Sequence, residues 1–113
     1  MTKIQTYDFQ DGNGPVPAHQ HPNGGGWVAN TATVAETAYV GPNAKVYGNA
    51  NVHGNAEVCG HAHVYDNTKV YGDASVGDNA QIYGDALVSD NAKVYGNAQV
   101  CGDAHVFIIE NAG

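Results

Sequence analysis

The sequence predicts an all-β protein of a single domain, built as a solenoid of short parallel strands. The first observation is that fourteen aliphatic residues recur every six positions without interruption. The second is a small residue two positions before each of them, which is Ala in twelve cases, with Gly26 and Thr68 as the exceptions. A fixed period of this kind is typical of repeat architectures, in which stacked units bury one continuous core.

Each six-residue repeat contains one strand with an apolar inside and a polar outside. Side chains alternate in an extended segment, so Ala50 and Val52 share one side while Asn51 points to the other. We therefore expect the recurring aliphatic residues to form the core. The central ones are Val46, Val52, Val58, Val64, Val70, Val76, Ile82, Val88, Val94 and Val100. Because Val and Ala fill every inward position, we expect any functional site to lie on the outer walls or between chains.

The third and fourth positions of each repeat predict a corner. Gly usually holds the third position and Asn or Asp the fourth, as in Gly48 and Asn49. These residues tolerate a positive φ and form turns readily. Asp66, Asp78 and Asp90 replace Gly at three corners. We interpret these acids as turn residues, because their spacing differs from that of calcium-binding repeats.

The repeat Val-Tyr-Gly-Asn-Ala-x, present at residues 46–51 and 94–99, resembles the hexapeptide repeat of the left-handed parallel β-helix superfamily. Bacterial acyltransferases and γ-type carbonic anhydrases belong to that superfamily. The resemblance covers residues 26–106 and implies a left-handed, triangular β-solenoid. Each coil would contain three repeats, or about 18 residues, which gives between four and five coils. The resemblance also implies a homotrimer.

The two ends of the chain lack the repeat. Residues 1–25 are predicted to form an N-terminal arm or cap, residues 26–106 the β-helix, and residues 107–113 a C-terminal cap or partner-contact strand that leaves the coil. The run Gly-Gly-Trp-Val at 25–28 also resembles small hexapeptide-repeat proteins of phages and prophages.

The composition argues against several classes of partner. The formal net charge is −7, with four Lys and no Arg, and binding to nucleic acid or an anionic membrane needs a basic face. We see no signal peptide and no apolar run of membrane-spanning length. The expected location is therefore the cytoplasm, or a virion assembled there.

The histidines raise two metal hypotheses, and we expect no metal site. His19 and His21 alternate on one side of an extended segment, which is a possible ligand pair, but two such residues are common in solvated segments. In γ-type carbonic anhydrases the ligands lie about two coils apart. From His53, His61 and His63 that step lands on residues that are not metal ligands, namely Ser89, Asn97 and Gln99.

An acyltransferase is the alternative enzymatic interpretation. In the acyltransferases that this sequence resembles, a catalytic His lies in the groove between subunits. By that resemblance, His53 or His63 would act as a general base in a reaction with a coenzyme A thioester. Those enzymes often add a protruding loop and a C-terminal helical segment, which this sequence lacks. We therefore expect no enzymatic activity and no cofactor.

Tyrosine is the most informative residue on the exterior. Stacking of one coil on the next aligns Tyr47, Tyr65 and Tyr83 in one column, and it places Tyr71 and Phe107 on a second face. An aromatic ladder on a flat wall favours an interface, because Tyr combines apolar area with a polar tip.

The sequence thus favours a non-enzymatic structural or interaction module, homotrimeric and serving as a phage or prophage accessory protein. Two alternatives stay open. One is the minimal acyltransferase. The other is an acidic decoy that binds a host protein.

Overall fold

The computed structural model describes residues 5–106 and the backbone of residues 109–112. Within them the chain forms a β-solenoid of about four turns with seventeen strands and no helix, which confirms the predicted all-β fold. The strands are β1 (Thr6–Asp8), β2 (Pro15–Gln20), β3 (Trp27–Ala29), β4 (Thr33–Val34), β5 (Tyr39–Val40), β6 (Lys45–Val46), β7 (Asn51–Val52), β8 (Glu57–Val58), β9 (His63–Val64), β10 (Lys69–Val70), β11 (Ser75–Val76), β12 (Gln81–Ile82), β13 (Leu87–Val88), β14 (Lys93–Gly96), β15 (Gln99–Val100), β16 (His105–Val106) and β17 (Ile109–Ala112).

Three sheets form the walls of the solenoid. The first sheet has the order β1-β2-β3-β6-β9-β12-β15, the second β16-β13-β10-β7-β4, and the third β17-β14-β11-β8-β5. Successive coil strands in a sheet are parallel, and Val46 pairs with Val64 while Ile82 pairs with Val100. Each coil therefore contains three repeats, and every position lies over its equivalent in the next coil.

Alternation within the strands places the small and aliphatic side chains inside. Nine of the ten central aliphatic residues are fully buried, and Val100 is 5 % exposed. The alanines two positions earlier, such as Ala50 and Ala62, are fully buried beside them. Burying each aliphatic side chain contributes about 1.5–3 kcal/mol. These side chains fill the interior, so the outer walls and the two ends carry the polar chemistry.

The corners explain where Asp replaces Gly. Asp66 and Asp78 adopt φ values of 63° and 56°, in the left-handed region that favours Gly. Their carboxylates offset that strain, because the backbone N–H of Gly84 donates to Asp66 Oδ2 and that of Gly96 donates to Asp78 Oδ2, each at 3.0 Å. The corner acids therefore join one coil to the next.

The N-terminal residues form a cap that extends the first sheet. Strands β1 and β2 make an antiparallel hairpin, and β2 pairs with β3, the first strand of the solenoid. The following turn covers part of the third sheet, because Gly26 N–H donates to Val40 O and Val40 N–H donates to Asn23 O, each at 3.0 Å. This segment is packed against the solenoid and is not a solvated arm.

The C-terminal strand differs from the expectation that it leaves the coil. Strand β17 pairs in parallel with β14, with Lys93 opposite Ile109 and Val94 opposite Glu110. The sequence separation between paired residues is two residues shorter here than in the other coils, where Ser75 lies opposite Lys93. The backbone of residues 109–112 therefore stays in the third sheet in a shifted register. Phe107 lies outside the described residues.

Thr68 provides a test of the packed interior. It occupies an inward position that is Ala in most repeats, it is fully buried, and its hydroxyl has no hydrogen-bond partner among the described residues. We predict that Thr68→Val raises the free energy of unfolding by about 1 kcal/mol, because it removes an unsatisfied polar group and keeps the shape. Thermal or urea unfolding measures the change.

The matched control is Thr37→Val at a corner. The Thr37 hydroxyl donates to the Gly54 carbonyl, so its removal should lower stability by about 0.5–1.5 kcal/mol. A loss of stability in Thr68→Val would contradict this prediction, because it would show that the Thr68 hydroxyl has a hydrogen-bond partner.

Candidate functional site

The clearest feature of the outer surface is a column of stacked tyrosines on the first sheet, which we call the tyrosine column: Tyr47, Tyr65 and Tyr83. The ring centroids of Tyr47 and Tyr65 are 4.9 Å apart with planes 2° apart, and those of Tyr65 and Tyr83 are 5.3 Å apart at 8°. The register between coils produces this arrangement, because it places the residue after each inward aliphatic directly over its equivalent in the next coil.

The N-terminal cap continues the column with three further aromatic rings. Phe9 stacks on Tyr47 with centroids 4.8 Å apart, Tyr7 meets Phe9 edge to face at 4.8 Å, and Tyr7 stacks on Trp27 at 4.7 Å. Lys45 Nζ lies 5.9 Å from the centre of the Tyr7 ring. Aromatic contacts therefore add to the backbone pairing that joins the cap to the solenoid.

This cap bears on one expectation about the interface. Tyr47 is only 6 % exposed, because Phe9 covers its ring. In the single chain Tyr47 therefore has little open surface, and its place in an interface stays a prediction. Tyr65 and Tyr83 are half-buried and keep part of their surface open to solvent. In the sequence, the alternation of Tyr7 and Phe9 is a signal that could have indicated an aromatic face on the cap.

His63 lies beside the covered end of the column. The Tyr47 hydroxyl and His63 Nδ1 share a hydrogen bond of 3.2 Å. Burial lowers the pKa of His63, and the nearby Lys45 and His61 lower it further. Burial also raises the pKa of Tyr47, with smaller effects from Tyr65 and Asp11. His63, a predicted candidate base, thus has one ring nitrogen engaged by Tyr47.

Cys101 lies at the far end of the tyrosine column. Its thiol is exposed and forms no disulfide. A side-chain hydrogen bond between Cys101 and the neighbouring Tyr83 raises the pKa of Tyr83. Cys59 is also free and lies on the third sheet, where burial raises the pKa of its thiol. The two thiols therefore lie on different walls.

The second sheet carries a shorter aromatic pair beside a shallow depression. His53 stacks on Tyr71 with centroids 5.0 Å apart and planes 6° apart. A depression of about 520 Å³ is lined by both rings together with Lys69, Leu87 and three smaller residues. Tyr71 is half-buried and His53 is exposed. The structure thus places the candidate base His53 next to a cationic side chain.

Charged groups are separated between walls and corners. The described coil strands of the first and second sheets present no carboxylate outward, whereas those of the third sheet present Glu57. The acids of the solenoid otherwise occupy corners. They are Glu36, Asp66, Asp73, Asp78, Asp85, Asp90 and Asp103. In a chain of net charge −7, the described coil strands of two walls therefore present no negative side chain.

The structure separates His19 from His21. His19 is exposed, and its Nδ1 donates to Asn30 Oδ1 at 2.7 Å. His21 is 4 % exposed, and its Nε2 donates to the Ala38 carbonyl at 2.8 Å. The two rings thus have structural partners on different segments, and the described part of the chain contains no group of three side chains suited to a metal ion.

Comparison with known proteins supports the fold and adds no activity. A family model described as "YdcK Beta solenoid repeat" matches residues 80–96, about one coil, and the chain is similar to that family over this stretch. No curated protein and no solved structure matches the chain. Among the described residues, none forms a helix of the length and apolar character needed to cross a membrane.

The lowered pKa of His63, beside the covered end of the tyrosine column, predicts that the stability of the fold depends on pH. Because the folded state lowers the pKa of His63, the unfolded chain binds the proton more readily. Stability from this site is fully present above the ordinary His pKa of about 6.5 and falls as the pH drops through that value.

Melting curves of wild type and His63→Gln between neutral and mildly acidic pH measure this effect. The wild type should lose more of its melting temperature on acidification than His63→Gln, whose amide does not titrate in this range. His105→Gln, at an exposed His on the second sheet, is the control and should behave like the wild type. Identical pH profiles for all three proteins would contradict the assignment.

Proposed function

We propose that the chain is a non-enzymatic, rigid β-solenoid scaffold that assembles into a homotrimer through the open part of the tyrosine column. The observation that carries this proposal is the pair Tyr65 and Tyr83, stacked and half-buried on a wall whose described coil strands present no carboxylate. Tyr is enriched at interfaces because its ring provides apolar area while its hydroxyl keeps a hydrogen bond.

Charge supports a second copy of the same chain as the partner. Two copies of net charge −7 repel each other wherever their acidic corners meet. The first sheet presents Lys45, His63, Gln81 and Gln99 beside the tyrosine column. Contact through this wall would bury no carboxylate of its described coil strands. The same distribution disfavours an acidic decoy, because the acids are spread over separate corners and no wall collects them.

The thin core supports assembly as well. Its inward side chains are almost all Val and Ala, so each coil buries little apolar area, and a small domain gains stability from oligomerisation. The resemblance to hexapeptide-repeat proteins favours three copies. The phage-like run at residues 25–28 suggests a phage or prophage accessory protein, located in the cytoplasm or in a virion. The net charge gives no support for a nucleic-acid or membrane partner.

The homotrimer is tested by light scattering coupled to size-exclusion chromatography. We expect a mass of three times the 11.7 kDa of one chain. Tyr65→Asp should shift the protein to monomer at micromolar concentration, because it places a charge in a buried interface and removes a stacked ring.

Tyr95→Asp is the matched control. Tyr95 occupies the same repeat position as Tyr65 on the third sheet, so this variant should remain trimeric. Circular dichroism should show that both variants fold. A monomeric wild type, or a Tyr65→Asp variant that stays trimeric, would overturn the proposal.

The depression on the second sheet favours one second candidate, a minimal acyltransferase. His53, Tyr71 and Lys69 line it together. An exposed imidazole is suited to act as a general base, and a Lys beside it is suited to a phosphate of coenzyme A. This candidate needs a coenzyme A thioester as cosubstrate.

Acetyl coenzyme A provides the test of that candidate. Binding to the folded state would raise the melting temperature by mass action, and His53→Ala should then abolish acetyl transfer to a panel of amines and alcohols. His105→Ala, on the same wall, is the control and should keep any transfer activity. An unchanged melting temperature at millimolar acetyl coenzyme A would exclude this function.

A further inference from the structure

A cavity lies between the N-terminal cap and the first corner of the solenoid, apart from the open part of the tyrosine column. Its volume is about 430 Å³, within the roughly 300–1,000 Å³ of small-molecule sites. Its apolar floor consists of Val16, Pro17 and Ala29 with the covered rings Phe9 and Tyr47. Both rings are buried, so they contribute mainly their edges. The site exists only because the cap folds back over the solenoid.

The rim of this cavity carries polar groups that are already held in place. Asn30 accepts from His19 Nδ1 through Oδ1, which leaves its amide nitrogen to donate to a ligand. Asn49 donates to Asn67 Oδ1 at 3.4 Å, which leaves its own Oδ1 to accept. Asp11 accepts from the backbone N–H of Asn13 at 3.1 Å and keeps further lone pairs. Groups fixed before binding lose little conformational freedom when a ligand arrives.

The charge of the rim restricts the ligand. The residues that line the cavity include the carboxylate of Asp11 and no Lys, Arg or His. An anion would therefore meet a negative charge and no cation, which excludes phosphates and carboxylates as ligands. The rim offers an amide donor, an amide acceptor and a carboxylate acceptor side by side. Two hydroxyl groups satisfy all three, because each of them donates one proton and also accepts.

From this combination we propose that the cavity binds a neutral sugar unit. The apolar C–H face of the sugar ring lies on Val16, Pro17 and Ala29, while its hydroxyl groups bond to Asn30, Asn49 and Asp11. This ligand site does not depend on the homotrimer, since its lining comes from one chain.

The test is a titration of the full chain, labelled with ¹⁵N, followed by NMR. The probes are cellobiose, maltose, lactose and N,N′-diacetylchitobiose, each to about 20 mM, which detects dissociation constants in the millimolar range. At least one of them should shift the amide signals of Asn30, Thr31 and Gly48 in a saturable way. No shift with any of the four, or shifts confined to another part of the chain, would overturn the proposal.

Charge and position are tested with further arms of the same titration. Digalacturonic acid should bind at least tenfold more weakly than the neutral probe that binds, and equal or tighter binding would refute the charge argument. Asn49→Leu should raise the dissociation constant about tenfold or more.

The matched control is Asn55→Leu. Asn55 has the same repeat position at the next corner and a similar bond to Asp73 at 3.4 Å, but it does not line the cavity, so binding should be unchanged. If Asn49→Leu fails to fold, Asn49→Ser replaces it. Unchanged affinity in the folded Asn49 variant would refute the assigned rim.

Discussion

The structure depends on the hydrogen-bonded register between successive coils. Along each wall, backbone N–H groups donate to carbonyls in the next coil, as in Asn51 to Thr68 at 2.9 Å and His53 to Val70 at 2.9 Å. This constraint converts a sequence period into columns of like residues. A substitution in one repeat therefore affects the packing of the equivalent repeats in the coils above and below. Outward side chains are likewise aligned in columns along the solenoid, such as the stacked tyrosines.

The same constraint explains which parts of the fold could be predicted. Six-residue spacing and alternation were sufficient to place Val64 and Thr68 inside and Asp66 at a corner, because those rules are local. The cap was less predictable, since residues 1–25 have no period and Phe9 reaches Tyr47 through a contact between distant parts of the chain. The shifted register of β17 was also missed, because the repeat ends at Val106 and nothing local sets the next pairing.

The candidate site, like the fold, could be predicted from the sequence only in part. Stacking predicted the column of Tyr47, Tyr65 and Tyr83, but it did not reveal that a non-repeating segment supplies a ring that covers Tyr47. Alternation suggested that His19 and His21 act together. It did not reveal that His21 lies beyond the end of β2, where the chain turns and its ring bonds to the Ala38 carbonyl. Local patterns predict the direction of a side chain, whereas its partner depends on the tertiary structure.

A uniform solenoid has little means of distinguishing one coil from another, so specific chemistry requires a break in the repeat. Here that break is the N-terminal cap, which closes one end of the tyrosine column and creates the cavity rimmed by Asn30 and Asn49. The wall that remains regular offers a flat surface suited to another copy of the chain. The irregular end offers a recess suited to a small ligand. Because the two features share only Tyr47, which is covered, the failure of either proposal would leave the other intact.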